Sequence, residues 1–95
     1  MRITAIIPSP EPCVEAGWHA SQYHLDGKVT RDFVLTLRPL GSLLLLDQLR
    51  QPFFKIENHH YMLKGLLGDT SIRIAVHRDH EDQLPFILKY LQAYE

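Results

Sequence analysis

The sequence predicts an α+β fold, a two-layer sandwich in which a mostly antiparallel sheet of five or six strands carries two helices on one face. Three observations predict it. Residues 53–57, 60–67 and 70–77 are apolar, strand-like runs separated by the turn-forming pairs Asn58-His59 and Gly68-Asp69. Asp26-Gly27, a pair that tolerates positive φ, lies between two further runs, 18–25 and 29–37, as a two-residue hairpin turn would. From about Asp82 to Tyr94, Leu84, Ile87, Leu88 and Leu91 recur at helical spacing. The predicted order is β-ββ-α-βββ-α. It is not the ferredoxin-like order, because three strands follow one another before the last helix.

Each element has its own grounds. Arg2 to Ile7 reads as a short strand, ended by the loop Pro8-Ser9-Pro10-Glu11-Pro12, which can join neither a helix nor a central strand. With Asp26-Gly27 as the turn, Trp18, Ala20, Val29, Phe33, Leu35 and Leu37 share a core face, and His19, Ser21, Tyr23, Thr30, Asp32 and Thr36 form the solvated one. Pro39 and Gly41 stop that hairpin. Ser42 can cap a helix of Leu43 to Gln51, whose Leu43-Leu44-Leu45-Leu46 run is apolar all round; a buried strand is the competing assignment. In the second half, pairing about Gly68-Asp69 sets Tyr61 against Val76, Leu63 against Ile74, Lys64 against Arg73, Met62 against Ala75 and His60 against His77. Pairing about Asn58-His59 adds Phe54 and Ile56 to the core face, and Phe53, Lys55 and Glu57 to the other. Pro85 suits the first turn of the last helix, and Asp79, Glu81 or Asp82 suits its positive end. A shift of 42 superimposes residues 43–49 on 85–91, but the strands disagree under that shift and no repeat is assigned.

Composition narrows the function classes. A chain of 95 residues with 45% hydrophobic residues forms one domain, 1–95, with one core. A formal net charge of −1 gives no general attraction to nucleic acid or to an anionic membrane. The single cysteine, Cys13, excludes an intramolecular disulfide and points to a reducing compartment. Prolines cut the N-terminal apolar run short of a signal peptide, and no segment is long enough to span a membrane, so a cytoplasmic location is expected. The five glycines are scattered, which excludes a phosphate-binding loop, and nothing in the pattern positions a base against Cys13.

Two constellations remain. Glu57, His60 and His77 would fall in one row across neighbouring strands, and two imidazoles with a carboxylate could hold zinc or another divalent transition metal and activate water, as in a hydrolase. Against this stands an ordinary solvent-facing row of polar residues, with no metal, cofactor or catalytic residue. The neighbouring His77-Arg78-Asp79-His80-Glu81 is rich in ligand types, but its spacing fits a loop and helix cap better. On the same polar face, Phe53, Lys55, Met62, Lys64, Leu66 and Arg73 form a partner-binding surface. Bases could stack on Phe53 beside those cations, yet one aromatic and a neutral chain make nucleic acid the weaker partner. The reading is a non-enzymatic interaction module that forms a homo-oligomer, such as a dimer, or binds a protein through an open sheet face or edge strand, with no membrane role.

Overall fold

A computed structural model describes residues 1–8 and 17–94. It is an α+β sandwich built on a six-stranded antiparallel sheet. In chain order the elements are β1 (Ile3–Pro8), β2 (Trp18–Leu25), α1 (Arg31–Thr36), β3 (Ser42–Leu46), β4 (Phe53–Glu57), β5 (Tyr61–Leu66), β6 (Ser71–His77) and α2 (Leu84–Ala93). Short 3₁₀ segments, Arg38–Leu40 and Arg78–Gln83, follow α1 and precede α2. The order of strands in space is β1-β2-β6-β5-β4-β3, so β1 and β3 are the edges. Cys13 and most of the loop from Pro8 to Pro12 lie outside the described residues.

The meander β4–β5–β6 forms as the alternation requires. Gly68, at φ 89°, supplies the left-handed residue of the β5–β6 turn. Tyr61 pairs with Val76, Met62 with Ala75, Leu63 with Ile74 and Lys64 with Arg73, the register expected from the sequence. The β4–β5 turn differs by one residue. The Asn58 side chain accepts hydrogen bonds from the backbone N–H of His60 (2.7 Å) and Tyr61 (3.0 Å), while Asn58 N–H donates to the Tyr61 carbonyl at 3.1 Å. The turn tip is therefore His59-His60, and Glu57 pairs with Met62, not His60. Sliding the turn by one residue moves the register by two, so every side chain keeps its face and only the rows change.

The first half departs from expectation in two elements. Asp26-Gly27 does not close a hairpin. A type I′ turn needs positive φ at both residues, and neither has it. Asp26 instead binds Arg2, accepting its N–H at Oδ1 (2.9 Å) and donating its own N–H to the Arg2 carbonyl (3.0 Å). Val29 then docks on the β5–β6 turn, donating to Asp69 O at 2.8 Å and accepting from Gly68 N at 2.7 Å. Residues 31–36 are helical, with Thr30 as N-cap accepting from Phe33 N at 3.2 Å. Phe33, Val34 and Leu37 are buried on one helical face and Leu35 is exposed, so the period is helical and not the alternation that Phe33, Leu35 and Leu37 suggest. The expected helix 43–51 is the edge strand β3, and Ser42 begins that strand instead of capping a helix. Leu43 and Leu45 pack against the core and Leu44 and Leu46 face outward, which is period two. The segment 43–49 is therefore no structural counterpart of the helical 85–91.

With β2 paired to β6 (Trp18 to His77, Tyr23 to Ile72), its faces are the reverse of those expected: Tyr23 and Leu25 enter the core, and Trp18 lies on the opposite side. The core lies between one face of the sheet and the helices. Phe33, Phe54, Ile56, Leu63, Ile72, Ile87 and Leu91 are fully buried there. Each such side chain contributes roughly 1.5–3 kcal/mol by leaving water. Gly65 faces this core because a Cβ there would come within 3.1 Å of the Phe54 ring. Pro85 occupies the first turn of α2 as expected, whereas the N-cap is Gln83, which makes no side-chain capping bond.

Candidate interaction face of the sheet

Both helices pack on one side of the sheet, and among the described residues no helix covers the other side. Cross-strand pairing orders that open face into rows. One row runs Leu46, Phe53, Leu66 from β3 to β5. The next runs Leu44, Lys55, Lys64, Arg73, Gln22, Ile7 across the whole sheet. A third runs Ser42, Glu57, Met62, Ala75, Ala20. Phe53, Lys55, Met62, Lys64, Leu66 and Arg73, the six residues expected to share a surface, thus stand together on one face.

Alternation places these side chains outward. In β4, buried Phe54 and Ile56 force Phe53, Lys55 and Glu57 to the open side, and the same period holds from Tyr61 to Lys64 in β5; in β6 Arg73 is partly exposed on that side, whereas Ser71 and Ala75 beside it are buried. Lys55, Lys64 and Arg73 are nearest neighbours on three consecutive strands, an arrangement that is unfavourable by itself because like charges oppose one another directly. Lys55 relieves part of this through an ion pair with Glu57, 3.5 Å away on its own strand. Lys64 and Arg73 each have an interaction of their own. A partly exposed pair such as Lys55–Glu57 is individually weak, about 0–1 kcal/mol.

At one end of the face lies a histidine corner. His60 and His77 oppose one another, with His77 N–H donating to the His60 carbonyl at 3.0 Å. Glu57 is in the neighbouring row, so the structure brings together two of the three residues considered for a metal and leaves the carboxylate apart. His80 approaches in its place: its ring stacks on that of His60 at 3.7 Å between centroids and lies 6.0 Å from that of His77. One nitrogen of each of the His60 and His77 rings is engaged elsewhere. His60 Nδ1 is bonded to Gln83 Nε2 at 2.8 Å, and His77 Nδ1 accepts from Asp79 N–H at 3.1 Å. Among the described residues no group of three or more His, Cys, Asp or Glu side chains is placed to hold a metal ion. The Trp18 ring packs edge-on against His77 at 5.7 Å. The sequence pattern placed Trp18 in the core, and no local signal corrects this, because its face is set by the distant pairing of β2 with β6.

Behind the sheet, α2 leaves part of β2 uncovered, and a groove of about 490 Å³ runs there between His19, Ser21 and Tyr23 on one side and Leu84, Pro85 and Leu88 on the other. Burial raises the Tyr23 phenol above its ordinary pKa. No helix among the described residues is long and apolar enough to cross a membrane. Comparison with protein-family models, curated proteins and solved structures found no match for this chain.

Proposed function

We propose that this protein is a non-enzymatic interaction module, cytoplasmic and built as one domain, that uses its open sheet face to bind protein, either a partner or a second copy in a homo-oligomer such as a dimer. The observation that carries this reading is the row Lys55, Lys64, Arg73, set in register across three central strands and bordered by Phe53, Leu66 and Met62. A row of like charges flanked by apolar side chains suits a partner with carboxylates at its centre, which would lower the repulsion while the apolar residues lose contact with water. Protein is favoured over single-stranded nucleic acid. Base stacking needs aromatic platforms, and this face offers Phe53 alone beside the cations, Trp18 being packed against His77 at the far end.

Fluorescence anisotropy with a short polyglutamate peptide and with oligothymidine tests the choice. The peptide is expected to bind saturably at low salt and to lose at least tenfold in affinity in Lys64→Glu and in Arg73→Glu. Undiminished binding in both variants would overturn the reading. Tighter binding of oligothymidine than of the peptide would transfer the face to nucleic acid.

A further inference from the structure

We propose that β3 is a dimer seam, pairing antiparallel with β3 of a second copy about a two-fold axis at Leu44 and joining two six-stranded sheets into one. This deepens the proposed function and rests on its self-associating form.

The two edges of the sheet are built differently. β1 carries the features by which natural sheets discourage pairing: a register irregularity between Ile3 and Ala5, and a proline, Pro8, as its last residue. β3 carries none of them. Its sequence, Ser-Leu-Leu-Leu-Leu, holds no charge and no proline, its register with β4 is regular from Ser42 to Leu46, and among the described residues it pairs with β4 alone. Leu44 and Leu46 are 44% and 40% exposed, and Leu49 just beyond is 52% exposed. An unpaired, uncharged strand edge flanked by exposed leucines is a template for another strand.

The features around β3 indicate that this strand is its own. Antiparallel pairing centred on Leu44 sets Leu44 against Leu44 of the partner on the open face, Leu43 against Leu45 on the helix side, and Ser42 against Leu46, with no like charges opposed. One residue further, Asp47, already paired with Arg31 of its own chain, comes opposite the uncharged Gly41, so no like charges meet at either end of the seam. Stacking two open faces instead would bring two rows of Lys55, Lys64 and Arg73 together. Edge pairing avoids this and extends the row, with two leucines separating two cationic clusters on one continuous face.

Light scattering and sedimentation of the whole protein read the outcome directly. Wild type is expected to be a dimer. Leu44→Glu, a change at an exposed position opposite Lys55 that leaves the fold and its circular dichroism intact but sets two carboxylates against one another across the seam, is expected to be monomeric, whereas Ile6→Lys on β1 remains dimeric. In a Cys13→Ser background, Leu44→Cys is expected to give a covalent dimer on oxidation, because cross-strand Cα distances at such a seam of about 4.5–5.5 Å suit a disulfide, and Ile6→Cys is not. A wild type that is monomeric at all concentrations overturns the seam without touching the polyglutamate result. A dimer that survives Leu44→Glu but is lost in Phe53→Glu also overturns it, and moves self-association to the open face.

Discussion

The two outer strands of this sheet share exposure and little else. β1 is solvent-exposed over nearly its whole length, with Ile6 and Ile7 at 55% and 50%; besides its ladder with β2 it is held at its start, where Met1 and Ile3 pack on the core and the Met1 ammonium donates to the carbonyls of Leu91 and Tyr94 at the C-terminal end of α2. β3 turns Leu43 and Leu45 into the core and is joined to the layer beneath by the Arg31–Asp47 ion pair between α1 and the end of the strand. One edge reaches the core only at its first residue, Ile3, and the other does so along its length through Leu43 and Leu45. Exposure of a strand is therefore a poor guide to how firmly it is held.

Substitutions can break this contrast. The largest effect is expected at Phe54, fully buried behind the β3 side: Phe54→Ala should cost about 3–5 kcal/mol in urea unfolding, against less than about 0.5 kcal/mol for Ile6→Ala on β1. Equal costs would remove the contrast. Gly41 comes next. A Cβ there would lie 2.5 Å from the Glu57 carbonyl oxygen, so Gly41→Ala must push β3 from β4 and should cost about 1–3 kcal/mol, whereas Gly27→Ala meets only the flexible Met1 side chain at 3.2 Å and should be nearly neutral. Tyr61 sharpens the comparison by pH. Its hydroxyl donates to the Leu40 carbonyl at 2.6 Å, tying the sheet to the turn before β3. Burial raises its pKa; a hydrogen bond with Asn58 opposes this in part, and Tyr90 adds to it. A raised pKa means stability that is complete below the ordinary value of 10.0 and is lost as pH climbs through the higher folded value. Tyr61→Phe should cost about 1 kcal/mol at neutral pH and should flatten the alkaline limb of a stability–pH curve. An effect of similar size is expected at the cap of α1, where Thr30→Ala should cost about 0.5–2 kcal/mol without altering exchange of β1 amides.

The sequence was most legible where local signals agreed. From Phe53 to His77, alternation, turn residues and β-branched content point the same way, and six residues of the open face could be placed together without a structure. It was least legible from Trp18 to Leu46, where partners are distant. Asp26-Gly27 is a strong hairpin signal, but the partners of β2 are β1 and β6, and no local pattern announces that. Four consecutive leucines fit either period, and only Leu43 and Leu45 packing on the core decides for a strand. The row of Glu57, His60 and His77 failed at one link, the turn before Tyr61, because the Asn58 side chain held two N–H groups that a two-residue turn at Asn58-His59 would have left elsewhere.

The central pairing of β2 with β6 bears on how the chain reaches its fold. Every strand from β3 to β6 meets the next across a short connection, but Tyr23 waits for Ile72, about fifty residues further along the chain. The last four strands can therefore assemble by successive hairpin closures, while the N-terminal pair is added late and at the entropic cost of a long loop. During synthesis β1 and β2 can pair with one another as they emerge, but until β6 arrives that pair has no sheet to join.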